Sequence, residues 1–333
     1  MSGGETPLFE VRDLRVAFGR HGQFHEAVRG ISLTVRHGEV LGIVGESGSG
    51  KSVAMLAALG LQPEGARVTG SVRFKGQELV GMSRRGLRKL RGSRVAMIFQ
   101  DPLSSLNPVM TVGAQVAEAV LLHNSGISSR AAMKRAVELL ELVAIPQPDR
   151  RVNQYPHEFS GGMRQRVMIA MAVANDPDLL IADEPTTALD VTVQAQIMQV
   201  LADLQHRLNL GLVLITHDLG VLAGQADRVA VVYAGQVVEQ GPVDTLFAAP
   251  GHPYTRGLIA SIPNMEVEKE RLFSIDGTPP PLGRLPAGCP FNPRCTQTRD
   301  ICRSVVPPVR GAADHTAACH FAFGISANTD NAA

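Results

Sequence analysis

One octapeptide constrains this chain more than any other feature. Gly45-Glu46-Ser47-Gly48-Ser49-Gly50-Lys51-Ser52 fits the pattern Gly-x-x-x-x-Gly-Lys-Ser/Thr. It follows a short apolar run at 40–44, which reads as a buried strand, and precedes a helical apolar pattern through 55–61. In that setting the glycines let backbone N–H groups curl inward onto phosphate oxygens. The start of the helix adds positive potential. Lys51 supplies a point charge for β- and γ-phosphates, and Ser52 a hydroxyl for Mg²⁺. The chain must therefore build an α/β core in which one strand feeds this loop.

The rest of the pattern agrees. Apolar alternation predicts strands at 9–16 and 31–35, and shorter ones at 72–74, 94–99, 179–182 and 212–216. A hairpin is predicted from 229–233 and 236–239, turned at Ala234-Gly235. Helical periodicity covers much of 107–158, including 131–143, and returns at 167–174 and 191–208. Strands alternating with helices predict an α/β fold, with a helical insertion at about 105–158. The composition shifts after Pro250, and Pro279, Pro280 and Pro281 after Gly277 predict a stiff linker. Apolar residues make up 44% and charged residues 19% of the chain, which excludes wholesale disorder. Lys and Arg total 32 against 31 Asp and Glu, which argues against a nucleic-acid partner. No uncharged apolar run reaches the roughly 18 residues that a membrane span needs. Residues 1–13 show no secretory leader, so a cytosolic setting with reduced thiols is expected.

A second acidic feature complements the phosphate loop. The apolar run at 179–182 ends in Asp183-Glu184. At the carboxyl end of a parallel strand both reach the ligand crevice. Asp183 is suited to the Mg²⁺ shell and Glu184 to orienting or deprotonating an attacking water. These motifs establish a phosphate-binding NTPase. An Asn-Lys-x-Asp motif, which would read guanine, is absent. Ser160-Gly161-Gly162-Met163-Arg164-Gln165 then opens a further helix, and a Ser-Gly-Gly helix start is itself an anion site. Two phosphate-binding ends in one chain suggest a site shared between two copies.

Taken together, these residues resemble the nucleotide-binding subunits of ABC transporters. The resemblance runs in order through the phosphate loop, a Q-loop glutamine at Gln100 and the signature Ser160-Gly161-Gly162. It continues through Asp183-Glu184, a D-loop Ala188-Leu189-Asp190 and a switch histidine, His217. It implies a P-loop NTPase ABC core, with a helical subdomain bearing the signature. It implies that two such domains close head to tail around two ATP molecules. Each site would take Gly45, Glu46, Ser47, Gly48, Ser49, Gly50, Lys51, Ser52, Gln100, Asp183, Glu184, Asp190 and His217 from one subunit. Ser160, Gly161 and Gly162 would come from the other. Lys51, Gln100, Glu184 and His217 are the implied catalytic set, and Ser52, Gln100 and Asp183 the implied Mg²⁺ ligands. Phe18 is the candidate adenine-stacking ring.

Several segments are similar to oligopeptide/dipeptide importer ATPases in particular. They are residues 100–108, His252-Pro253-Tyr254-Thr255, Gly277-Thr278-Pro279-Pro280 and Cys289-Pro290-Phe291-Asn292-Pro293-Arg294-Cys295. The resemblance implies ATP-driven uptake of short peptides; nickel, glutathione or another small solute is the alternative cargo. It implies two transmembrane permease subunits, a second ATPase subunit (a paralogue or a second copy) and an extracytoplasmic binding protein. The place implied is the cytoplasmic face of the membrane. An exporter ATPase, a soluble ABC ATPase and a regulatory ATP binder remain as other readings. The expected organisation is an ATP-binding domain over 8–250, a C-terminal extension over 251–322 and a disordered tail from 323. All four cysteines, Cys289, Cys295, Cys302 and Cys319, fall in the extension, with five, six and sixteen residues between them. Four reduced thiols are a credible tetrahedral metal or cluster site, without the Cys-x-x-Cys pair that favours zinc. The resemblance implies a [4Fe–4S] cluster here, with Zn²⁺ as the alternative. His315 and His320 are further candidate ligands.

Overall fold

The fold was analysed in a computed structural model, which describes residues 6–20, 23–101, 105–187, 189–262, 274–312 and 314–324. The chain divides into two compact units, neither of them continuous in sequence. One holds the segment ending at Phe9, Val35–Glu39 and Gly81–Ile215; the other holds Glu10–Thr34, Val40–Val80 and Thr216 onward.

The second unit contains the strand that feeds the phosphate loop. Strand β3 (Val40–Val44) is buried throughout, and helix α1 (Lys51–Ala58) follows the loop. β3 pairs in parallel with β9 (Arg228–Tyr233), Leu41 opposite Arg228 and Val44 opposite Val231. β9 turns antiparallel into β10 (Gln236–Pro242), the hairpin that the sequence predicts. Two three-residue strands, β11 (Val309–Gly311) and β12 (Thr316–Ala318), then extend this sheet through Glu239–Ala317 and Gln240–Thr316 pairs. A separate sheet runs in the order β2-β1-β4-β5, from β1 (Phe9–Arg20), β2 (Gln23–Val35), β4 (Arg67–Phe74) and β5 (Gln77–Glu78). β2 begins eight residues before the predicted strand start at Ile31. It is an edge strand, and its first half is mostly exposed, so no apolar alternation marks it.

The first unit has three parallel strands, β6 (Val95–Ile98), β7 (Leu179–Asp183) and β8 (Gly211–Thr216). β7 is buried along its whole length, as its continuous apolar run requires. Helix α2 (Arg84–Leu90) precedes β6, and the region 105–158 holds the α-helices α3 (Val112–His123), α4 (Ser129–Leu142) and α5 (Pro148–Arg151) and ends in a 3-10 turn, Pro156–Glu158. Thr111 and Ser128 hydroxyls accept the Ala114 and Ala131 N–H groups and set where α3 and α4 begin. Helix α6 (Gly161–Ala172) carries the signature, and α7 (Val191–Leu208) has the predicted bounds.

The 274–288 stretch carries no helix or strand, as its prolines and glycines predict. Helix α8 (Pro253–Ala260) lies where the sequence reading marked a change of composition and the segment His252-Pro253-Tyr254-Thr255 but no helix; His252 caps it through Nδ1, which accepts the Tyr254 N–H. No described helix is long and apolar enough to cross a membrane. The tail at 325–333 lies outside the described residues.

Candidate functional site

The phosphate loop takes its shape from its close neighbours in the second unit. A Cβ on Gly45 would stand 2.1 Å from the Val232 carbonyl oxygen, so only glycine lets the loop leave β3 this close to β9. Gly50, the N-cap of α1, has φ 99°, and a Cβ there would meet the Ala27 carbonyl at 2.7 Å. The Gly235 N–H donates to the Ser49 carbonyl at 2.8 Å, tying the loop to the β9–β10 turn. Lys51 is 5% exposed, and its ammonium donates to the Gly45 and Glu46 carbonyls at 2.5 and 3.0 Å. An anion in the loop would compete for that buried charge. Ser49 is buried and its hydroxyl has no protein partner, an orphaned donor inside the loop. Ser52 is half-buried at the second position of α1.

Glu46 is held from two sides. Its N–H donates to the Tyr254 hydroxyl at 2.9 Å. Its carboxylate accepts both terminal nitrogens of Arg294, Nη1 to Oε2 at 2.6 Å and Nη2 to Oε1 at 2.8 Å. The bidentate pair raises the Arg294 pKa. Sequence reasoning missed this arrangement, although it had singled out both segments that supply it.

The carboxylates stand in the first unit. Asp183 ends β7 and is 5% exposed. Glu184 follows with φ 46°, the left-handed region, which costs a non-glycine residue roughly 1–3 kcal/mol. Its N–H donates to the Ile215 carbonyl at 3.0 Å, and its carboxylate accepts from Gln100 Nε2 at 3.0 Å and Thr187 Oγ1 at 2.8 Å. Gln100, Asp183 and Glu184 are thus brought together. Thr187 is a further residue that the sequence reading did not single out.

The signature and the D-loop also meet in this unit. Ser160 caps α6, its hydroxyl accepting the Met163 N–H at 3.4 Å. A Cβ on Gly162 would stand 2.4 Å from Val193 Cγ1, and one on Gly161 3.4 Å from Leu189 Cδ2. Asp190 is the N-cap of α7, accepting the Val193 N–H at 2.9 Å. Its carboxylate therefore has a structural task beside any role toward nucleotide. Ala188 lies outside the described residues, as do Pro102, Leu103 and Ser104.

In the second unit His217 is exposed one residue after β8, and Phe18 is half-buried in β1. The four cysteines line one small cavity of about 20 Å³, room for roughly one water molecule. All four are free thiols. Burial pushes Cys289 up to about 11 and also raises Cys295 and Cys319, with the neighbouring thiols adding to the effect. Among the described residues no three His, Cys, Asp or Glu side chains converge in metal-holding geometry. His315 Nε2 is engaged with Glu239 at 2.8 Å; His320 also lines the cysteine cavity, with its Nε2 on the Val305 carbonyl at 2.9 Å.

Comparison with known proteins places these features in context. A family model described as ABC transporter matches residues 28–187, and one described as the oligopeptide/dipeptide transporter C-terminal region matches 238–302. The oligopeptide transport ATP-binding protein OppD of Bacillus subtilis is 53% identical over 312 residues, covering 93% of this chain and 87% of the relative. OppD of Mycobacterium tuberculosis is 53% identical over 316 residues, 94% of this chain and 52% of the relative. The chain thus spans about half the length of that relative. Among solved structures, dimeric MJ0796, a bacterial ABC transporter cassette, is 28% identical with a TM-score of 0.63, covering 71% of this chain and 98% of the cassette. CbiO1 of Clostridium perfringens, part of an ABC transporter complex, is also 28% identical, with a TM-score of 0.62 and coverage of 73% and 92%.

Proposed function

The chain belongs to the ABC transporter ATP-binding proteins of the oligopeptide/dipeptide type, and we propose that it binds and hydrolyses ATP to drive import of short peptides. The observation that carries this reading is Glu184, held by Gln100 and Thr187 beside the buried Asp183 at the end of a parallel strand. In this reading Glu184 serves as the base for the attacking water and Gln100 orients it. The phosphate loop, with its inward Lys51, binds the triphosphate; His217 steadies charge on the transferred phosphoryl group. Phe18 stacks on the base. Ser160, Gly161 and Gly162 complete the site of a second subunit, and Asp190 contributes at the dimer face. The hydroxyl, amide and carboxylate of Ser52, Gln100 and Asp183 are hard oxygen donors that suit Mg²⁺, which would neutralise phosphate charge there. Nickel or glutathione remains the alternative cargo.

The proposed organisation is an ATP-binding domain over 8–250 and an extension over 251–322. The proposed partners are two permease subunits, a second ATPase subunit and an extracytoplasmic binding protein, with the chain at the cytoplasmic membrane face. In the extension, Cys289, Cys295, Cys302 and Cys319 suit a [4Fe–4S] cluster, or Zn²⁺, by donor type and by their shared cavity. The cavity is only about 20 Å³, so the cysteine loops would have to part to admit the group. The group would supply a structural cross-link. Iron, sulfide and zinc assays on anaerobically purified protein test it, and folded protein free of all three rejects it.

The test of the main reading is uptake of a labelled di- or tripeptide by cells carrying the native chain or Glu184→Gln. Loss of uptake with the variant assembled at the membrane supports a peptide importer. Unchanged uptake moves the cargo to another solute.

A further inference from the structure

We propose that Arg294 and Tyr254 are positioning residues of the nucleotide site, acting through Glu46. The cysteine-bearing extension would then form part of the ATP site rather than an appendage to it. This rests on the ATP reading above and goes beyond it by assigning these residues a role.

The chemistry begins with an anomaly. Glu46 places a carboxylate in the second position of a loop that must receive a polyanion. Left unpaired, it would repel the phosphates. Arg294 meets it with both terminal nitrogens, the geometry in which a guanidinium matches a carboxylate best. The Arg294 side chain is only 4% exposed, so the pair is weakly screened. The guanidinium itself is fixed by other contacts. Nε donates to the Asp276 carbonyl at 2.9 Å, Nη2 to the Ile275 carbonyl at 3.3 Å and Nη1 to the Tyr233 hydroxyl at 3.4 Å.

Tyr254 holds the backbone of the same residue. Its hydroxyl accepts the Glu46 N–H, and its ring is fully buried. The Tyr254, Tyr233 and Phe291 rings pack with centroids 4.7, 5.3 and 5.4 Å apart. Arg294 lies over the Tyr233 and Phe291 rings at 5.8 and 5.9 Å. Glu46 is thus fixed at its amide and its carboxylate by residues more than two hundred positions away. Phe291 and Arg294 both lie between Cys289 and Cys295, so the loop that carries two cysteines also carries this clamp.

A clamp that only stapled the extension in place would affect stability. One that neutralises Glu46 for the phosphates affects ATP affinity, and removal of the carboxylate should relieve its loss. The test is titration of the full chain with Mg-ATP, for the native protein, Arg294→Ala, Arg294→Lys, Glu46→Gln and the Arg294→Ala/Glu46→Gln pair. Arg294→Ala should weaken ATP binding about tenfold, less so at high salt. The double variant should recover most of that loss, and Arg294→Lys should fall between, because an ammonium cannot bridge both oxygens. In the assembled transporter the KM for ATP should rise with kcat little changed. Native affinity in Arg294→Ala overturns the proposal, as does a loss that Glu46→Gln fails to relieve. If Arg294→Ala does not fold, Tyr254→Phe decides: it removes one hydroxyl, and unchanged ATP affinity counts against the clamp. A native chain that binds no ATP would instead overturn the functional reading itself.

Discussion

Gln100 Nε2 donates to Glu184 Oε2 at 3.0 Å, joining the end of β6 to the end of β7. Under the proposed function, the bond links the glutamine that orients the attacking water with the carboxylate that activates it. Glu184 also bears left-handed backbone strain, a cost that functional positions commonly carry. Glu184→Gln should therefore retain ATP binding and slow hydrolysis about 10²–10⁴-fold. Phosphate release by the assembled transporter, beside nucleotide titration, checks both halves. Unslowed release would remove Glu184 from the base role.

Gly45→Ala should abolish tight ATP binding. The new methyl carbon would lie 2.1 Å from the Val232 carbonyl oxygen and 3.0 Å from the Ser49 hydroxyl, and the backbone of β9 cannot swing aside as a side chain could. The loop must pull away from β9, at a cost of roughly 1–3 kcal/mol in stability. Nucleotide titration and thermal melting report the two effects separately; an alanine variant with native affinity would show the loop more adaptable than its packing implies.

Glu239 is 1% exposed and accepts from the Gly251 N–H at 2.7 Å, the His252 N–H at 2.8 Å and His315 Nε2 at 2.8 Å. Glu239→Ala strands these donors in the interior and should destabilise the fold by roughly 3–5 kcal/mol. Glu239→Gln keeps an acceptor oxygen and should cost less. Urea denaturation of both variants measures the difference, and equal losses would rule out the acceptor role.

His252 is buried, and burial, with a smaller contribution from Arg256, holds its pKa down to about 3. It stays neutral in the fold and takes up a proton near its ordinary value of 6.5 once unfolded. The stability from this residue is thus present above pH 6.5 and lost as pH falls toward 3. At pH 5 the loss from this group amounts to roughly 2 kcal/mol. His252→Asn keeps a capping acceptor for Tyr254 and should flatten the fall in melting temperature between pH 7 and 5. An unchanged slope would move the acid sensitivity to other groups.

Much of the site was legible in the sequence because it is written in contiguous residues. Gly45 to Ser52 need a particular backbone path, and only glycines at the close approaches allow it. Ser160 and Asp190 announce the starts of α6 and α7, since a side-chain oxygen before a helix satisfies its free N–H groups locally. β3 and β7 showed as unbroken apolar runs because both of their faces are covered. The exposed first half of β2 and the three-residue β11 and β12 left no such mark.

Tertiary structure alone decided which distant residues meet. Arg294 and Glu46 lie 248 positions apart, and nothing in the spacing of an arginine selects its carboxylate among 31 acidic residues. The same holds for Glu239, whose partners come from two other segments. Local backbone demands fix residue types at fixed offsets, so they survive in the one-dimensional record. A charge pair demands only proximity, and proximity exists only once the chain has folded.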